Sequence, residues 1–281
     1  MRLPGFIAAW AKEPHALEGR IRSVASAAHR SLVVQELLLQ RLLDTVAPDA
    51  GNQQTAQLTA LVKTFERPPI LRRLVASIRR LYPALRVVVV DDSRVPTRLP
   101  GVTTITLPYD SGIAAGRNAG LAHVATPYVL VLDDDFVFYR HTRLGPALAL
   151  MDRRVEIDIM GGRVVDLPLL RTRRLPFGDL FPTDAVPVAE LGSRIGGLTV
   201  VDKVPTFFIA RRERLAQVGW DPELKRMDHA DFFTRALGVL TTVFNPDLRC
   251  LHARTPFDAE YMSKRMDLES SLRVLERRYG P

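Results

Sequence analysis

The chain has 281 residues, 47% hydrophobic and 25% charged, enough to bury a sizeable core and too apolar for intrinsic disorder. Its one cysteine, Cys250, excludes an intramolecular disulfide, and with no Cys/His array a structural zinc site is excluded too, so a reducing cytoplasm is the expected compartment. The net charge of +8 raises polyanion binding, but the basic residues are scattered over Arg20–Arg30, Arg72–Arg80, Arg171–Arg174, Arg211–Arg214 and Arg273–Arg278 without interleaved aromatics, so solvated helix faces are favoured over nucleic acid, with a cationic rim for an anionic donor or a membrane-bound acceptor second.

Near the start, the apolar stretch Phe6 to Ala11 is too short for a signal-peptide core or a bilayer span. Residues 15–46 carry leucine, valine and isoleucine at helical spacing, with Leu32, Gln35, Leu38, Leu39 and Leu42 in one stripe that could pack on its own domain or on another subunit. Ala47 to Gln57, with Pro48, Gly51 and Asn52, reads as a linker. From Leu58 short apolar strands alternate with amphipathic helices, the signature of βαβ units and a mostly parallel sheet. Strands are expected at Leu58–Lys63, Arg86–Val90, Val102–Leu107 and Tyr128–Leu132, and helices at Pro69–Leu81 and Ala114–Val124. The second half is less regular, with strands expected at Arg163–Leu167, Val200–Val204 and Phe207–Ala210, and helices at Leu144–Met151, Asp231–Val239 and Asp258–Tyr279. Leu167 to Pro187, rich in proline and arginine, reads as a mobile or acceptor-facing loop. The division is therefore 1–56 as helical extension and linker, 57–255 as an α/β domain, and 256–281 as a C-terminal helix.

Chemistry concentrates where the strands end. Tyr128–Leu132 runs into Asp133-Asp134-Asp135, and three adjacent carboxylates at a buried strand terminus call for a cation or shifted pKa values. A hard divalent ion, Mg²⁺ or Mn²⁺, suits such oxygens and leaves positions open for substrate phosphates. On an extended chain Asp133 and Asp135 would point to the same side. The plainer alternative is a solvated turn or a cap for a helix starting near His141. Arg86–Val90 likewise ends in Asp91-Asp92-Ser93, where a carboxylate could accept from a nucleobase or ribose, or serve as a loop acid. Gly112-Ile113-Ala114-Ala115-Gly116-Arg117-Asn118-Ala119-Gly120 combines small residues with an arginine at a helix start, a fit for diphosphate. It lacks GxGxxG spacing, and the chain has no GxxxxGK[ST] loop, which disfavours a nicotinamide enzyme and a P-loop NTPase.

In this order and spacing these elements, together with Lys63-Thr64-Phe65-Glu66-Arg67, Ser77-Ile78-Arg79-Arg80-Leu81-Tyr82-Pro83, Phe136-Val137-Phe138 and Gly161-Gly162, resemble the GT-A glycosyltransferases. They are most similar to the inverting β-1,4-N-acetylgalactosaminyltransferases and, more widely, to the bacterial family 2 enzymes. The resemblance covers residues 57–255. It implies a GT-A (Rossmann-like), mostly parallel mixed sheet flanked by helices, and an inverting, metal-dependent hexosyltransferase that uses a UDP-sugar. Thr64 and Asp92 would then hold the uridine, Arg117 would face the diphosphate, and Asp133 and Asp135 would form an Asp-x-Asp motif for metal and donor. Arg67, Asp91, Asp134 and Gly162 join the nucleotide-sugar-binding set. His252 would complete a metal shell with Asp135 and Asp133, favouring Mn²⁺ over Mg²⁺.

The general base in the wider group is an aspartate in a Glu-Asp pair at a late helix start. Here the matching positions are Asp228 and His229, which departs from the pattern and leaves Asp228, His229 and Asp231 all as candidates, with an N-cap role for Asp228 the alternative. The implied sugar is N-acetylgalactosamine, and the acceptor is a carbohydrate, a glycolipid or a small molecule. Peripheral membrane association and homo-oligomer formation stay open, and no nucleic-acid partner is expected. The rival readings are a nucleotidyltransferase and a non-catalytic polyanion-binding protein.

Overall fold

The computed structural model describes residues 19–45, 52–172, 179–265 and 268–280. The Phe6 to Ala11 stretch, residues 15–18 and 46 of the expected first helix, residues 47–51 of the expected linker and residues 173–178 of the Leu167–Pro187 loop lie outside the described residues. In chain order the elements are α1 (Gly19–Asp44), a 3₁₀ turn (Asn52–Gln57), β1 (Leu58–Thr64), α2 (Pro68–Leu81), β2 (Arg86–Asp91), β3 (Thr103–Thr106), α3 (Ile113–Ala122), β4 (Tyr128–Asp133), β5 (Phe136–Val137) and α4 (Leu144–Arg153). There follow β6 (Ile159–Asp166), β7 (Arg171–Thr172), β8 (Arg194–Ile195), β9 (Leu198–Val200), β10 (Phe208–Arg211), α5 (Arg212–Val218), α6 (Asp228–Ala236), β11 (Thr242–His252), α7 (Ala259–Arg265) and α8 (Glu269–Tyr279).

The strands build one mixed sheet in the order β3-β2-β1-β4-β10-β6-β11-β9-β8, with β5 on β11 and β7 on β6. Strands β3, β2, β1 and β4 are parallel, β10 runs antiparallel between β4 and β6, and β11 returns parallel to β6. Strand alternation sends successive side chains to opposite faces. Leu58, Ala60 and Val62 therefore pack with Leu71, Leu74 and Ile78 of α2, whereas Leu61 packs with Ala114 and Leu121 of α3 and Phe232 and Phe233 of α6. Both layers exclude water, and every carboxyl end of the parallel strands opens at one edge.

The parallel half follows the expected elements to within two residues. In the second half β6 starts four residues before the expected Arg163, because Gly161 and Gly162 lie inside the strand. An added Cβ at Gly161 would meet the Val204 side chain at 2.2 Å, and at Gly162 the Leu248 carbonyl and the Phe207 ring at 2.6 Å. Gly162 is thus a packing glycine beneath the cavity, which corrects its expected donor role. The strand expected at Val200–Val204 stops at Val200, and the expected Asp258–Tyr279 helix is two helices, α7 and α8. Strand β11 carries Asn245-Pro246-Asp247 within it, and the sheet absorbs this as a register shift between Asn245 and Arg249.

Among the described residues the first helix is fastened by one face. Val33 and Leu37 share a small core with Val137, Tyr139, Val165, Leu167, Leu251 and Ala253. Asp44 takes Arg80 at 2.7 Å and the Arg140 amide at 2.8 Å.

At the other end of the chain, Asp231 has no exposed surface and accepts from Arg235 at 2.9 Å, Arg278 at 2.6 Å and the Tyr279 hydroxyl at 2.9 Å. One oxygen ties α8 to α6 and the other is taken by Arg235 on α6 itself, so neither faces the cavity, which corrects its expected place among the catalytic residues. Asp231→Ala should lower stability by about 3 kcal/mol, since a buried carboxylate with three donors is lost, while leaving donor binding intact; thermal unfolding with and without nucleotide checks both. Gly162→Ala should cost about 1–3 kcal/mol, seen as a lower unfolding midpoint, because neither the carbonyl nor the ring it meets can move freely.

Candidate active site

At the carboxyl ends of β1, β2 and β4 lies a cavity of about 460 Å³, onto which Thr64, Arg67, Asp92, Arg117, Asp133, Asp134, Asp135, Asp228, His229 and His252 all open. Its floor is made by strand ends that must hand their last side chains to solvent, and the charges there are balanced in pairs. Thr64, the last residue of β1, donates its hydroxyl to Asp134 at 2.7 Å. Arg67, just before the Pro68-Pro69 start of α2, pairs with Asp134 and, at 3.3 Å, with Asp135, and its guanidinium lies 3.8 Å from the Tyr261 ring centroid.

The three aspartates do not stay extended. The chain turns at Asp134 and Asp135, so these two share Arg67 while Asp133 faces Arg117 at 3.1 Å. This corrects the expectation that Asp133 and Asp135 share one side. Arg117 comes from α3, packs 5.6 Å from the Trp220 ring and also reaches Asp228 at 2.5 Å, joining the end of β4 to the start of α6. Asp228 is the first residue of α6 and not its cap, which is Met227.

Of the acids after β2, Asp92 lines the cavity and pairs with Lys63, and it also accepts the Gly112 amide at 3.0 Å. That amide can approach because Gly112 has φ +94° and an added Cβ would meet the Lys225 backbone at 2.6 Å. Asp91 points the other way: it is fully buried and accepts the Ser93 amide at 2.9 Å and the Thr97 amide at 2.7 Å. It shapes the loop and is absent from the cavity wall, which corrects its expected place in the donor site.

Burial sets the electrostatics. It pushes Asp133 up to about 6 against the pull of Arg117, with Asp135 and Asp134 adding to the rise. Burial likewise raises Asp134 and Asp228 despite their arginines. His229 is driven down to about 3 by burial, Lys203 and Arg117, so its imidazole is neutral. His252 moves the opposite way, to about 9: burial disfavours its charge, but Asp135 and Asp166 outweigh it.

His252 donates through Nδ1 to Asp166 at 2.7 Å, and its Nε2 lies 3.4 Å from Asp135 Oδ1. A carboxylate oxygen beside an imidazole whose far nitrogen is anchored suits a divalent cation that takes its remaining ligands from phosphate and water. Asp133 is not gathered with them, and among the described residues no group of three His, Cys, Asp or Glu is drawn together as a ready metal cage. The fit is therefore that of a two-ligand platform, Asp135 and His252. The sequence reading missed Lys63, Asp166, Lys203 and Tyr261 on the cavity wall. Asp166 alone carried a usable signal, being another acid at the end of a strand.

Residues 59–219 match the family described as Glycosyl transferase family 2. The chain is 37% identical over 211 residues to the Rattus norvegicus protein named beta-1,4 N-acetylgalactosaminyltransferase 1, covering 71% of this chain and 39% of that protein. It is 32% identical over 246 residues to Mus musculus beta-1,4 N-acetylgalactosaminyltransferase 2, covering 83% and 46%. It thus spans less than half the length of these curated relatives. Among solved structures, S. aureus TarS 1-349 in complex with UDP-GlcNAc aligns with a TM-score of 0.54 at 20% identity, over 78% of this chain and 66% of that chain, a shared GT-A-like fold. Fold, ordered motifs and family match agree: the chain belongs to glycosyl transferase family 2.

Proposed function

We propose that this chain is a metal-dependent glycosyltransferase that moves a sugar from a UDP-sugar to an acceptor hydroxyl with inversion at the anomeric carbon. The observation that carries this reading is one cavity onto which open both the Asp135–His252 pair and Asp228, the latter held by the same Arg117 that pairs with Asp133 at the end of β4. The relatives' names point to N-acetylgalactosamine, and the UDP-GlcNAc in the S. aureus complex supports a uridine nucleotide.

In this reading the Lys63–Asp92 pair offers adjacent donor and acceptor atoms to the base, and Arg117 and Arg67 face the diphosphate. Asp135 and His252 would hold Mn²⁺ or Mg²⁺, which would supply positive charge for the departing nucleoside diphosphate. The acceptor oxygen bonds to the anomeric carbon as the bond to the diphosphate oxygen breaks, and Asp228 takes the hydroxyl proton. Asp228 suits that role better than its neighbour, since burial makes its carboxylate more basic while the same burial leaves His229 a weak base. His229 then serves as a neutral polar contact, with Nδ1 3.5 Å from the Thr206 hydroxyl.

Thermal-shift and donor-hydrolysis measurements with UDP-, GDP- and TDP-sugars should give the largest response to UDP-sugars with Mn²⁺, and a response indifferent to metal would count against the reading. Asp228→Asn should lower kcat by roughly 10²- to 10⁴-fold while keeping the donor-induced shift. Asp166→Asn should weaken Mn²⁺ binding by roughly 10- to 100-fold, measured directly by titration calorimetry. His229 gives a pH test of its own environment. Its folded pKa of about 3 lies below the ~6.5 of an unfolded chain, so below about pH 6.5 the unfolded state takes a proton that the folded state refuses. Stability is undiminished above that pH and drains away as pH falls towards 3. His229→Gln should therefore lose less of its unfolding midpoint between roughly pH 7 and pH 4 than the parent chain does.

A further inference from the structure

We infer that the outward face of α1 docks on an anionic lipid surface, the helix lying along the membrane plane. Seven of the sixteen exposed large apolar side chains among the described residues sit on this one helix. Leu32, Leu38 and Leu42 are 50%, 60% and 66% exposed, an outlay of apolar surface that a solvated helix does not make. At 100° per residue, Val34, Leu38, Leu42, Leu39, Leu32 and Leu43 sweep an arc of ~180° opposite the anchored Val33, Gln40 and Asp44. A two-helix seam uses a narrower stripe and would leave the margins of this arc in water, whereas a bilayer interface covers all of it. The polar pair inside the arc is self-satisfied, Gln35 bonding to Ser31 at 3.3 Å.

Charge selects the kind of lipid. Among the described side chains of α1 the exposed charges are Arg30 and Arg41; Glu36 is half-buried at the margin of the arc and accepts from Gln40 at 2.7 Å, and Asp44 is buried beneath Arg80 and Arg140. The turn between β6 and β7 adds Leu169 and Leu170, both exposed, followed by exposed Arg171. That turn lies on the same flank, since Leu167 shares the small core beneath α1 with Val33 and Leu37. Leucine and arginine presented together, with Asp44 buried and a net charge of +8, complement a negatively charged headgroup layer. No described helix is long and apolar enough to cross a membrane, so the contact is along the surface.

The test is flotation of the full chain with vesicles of phosphatidylcholine alone or mixed with phosphatidylglycerol. Binding is expected to the mixed vesicles only, weakening as salt rises. The double variant Leu38→Gln/Leu42→Gln should cut the bound fraction at least roughly tenfold with an unchanged unfolding midpoint. Arg30→Gln/Arg41→Gln should weaken binding and reduce its salt dependence. Absence of flotation, or flotation unchanged by the leucine variant, overturns the proposal. So does a dimer in light scattering that the leucine variant dissolves while no vesicle binds, which would assign the face to a second copy. The assay reads no sugar transfer, so its outcome is separate from that of the proposed activity.

Discussion

The edge of this sheet is held together by the Arg117 guanidinium, which grips Asp133 at the end of β4 and Asp228 at the start of α6. The two acids come from chain segments nearly a hundred residues apart, and burial alone would raise both pKa values and drive them towards neutrality. An arginine suits the task because its charge persists at any ordinary pH and its planar fork can serve two carboxylates at once, which a lysine ammonium on the same helix could not do with fixed geometry. The same logic recurs around the cavity: Arg67 serves Asp134 and Asp135, Lys63 serves Asp92, and His252 stands between Asp135 and Asp166. The cavity wall is rich in both signs of charge and nearly balanced by pairing. An anionic donor with a cation can enter such a site by exchanging partners.

Sheet register places His252. Strands β6 and β11 are parallel, and His252 is paired in register with Asp166. The 2.7 Å contact between their side chains is thus fixed by the ladder and not by flexible loops. The bulge between Asn245 and Arg249 lets an eleven-residue strand carry proline and still deliver His252 to the edge where β1, β2 and β4 end. Alternation then sends His252 towards the cavity and its neighbours Leu251 and Ala253 towards α1, so one short ladder serves both the site and the helix behind it.

What could be read from sequence divides along physical lines. Val87–Val90 and Val129–Leu132 are continuous apolar runs, which fully buried parallel strands require, and each ends in acid, so the strands and the edge were both legible. Thr64, Arg67, Asp92, Arg117, Asp133, Asp134, Asp135, Asp228, His229 and His252 do open onto one cavity. What failed was direction. Asp91 and Asp92 are adjacent, and only the turn decides which faces inward; Asp228 and Asp231 are three apart on a helix, yet the second is captured by Arg278 and Tyr279 from a segment about fifty residues later. Gly162 looked like a site for a ligand's approach and turned out to be a site for Phe207's approach, since a glycine marks closeness without naming the neighbour.

The departure from a Glu-Asp pair at the start of α6 also acquires a physical meaning. A buried helix start flanked by Lys203 and Arg117 penalises a protonated imidazole, and the same burial raises the Asp228 carboxyl, with Arg117 offsetting only part of the rise. Adjacent residues in one environment are thus pushed in opposite senses, the acid towards greater basicity and the histidine towards permanent neutrality. An environment that does this separates the two roles without a second acid: Asp228 can exchange a proton, and His229 can contribute shape and a hydrogen bond but no charge. A histidine at position 229, where the resemblance implies aspartate, therefore leaves one negative charge fewer at a crowded edge where Arg117 already holds Asp228.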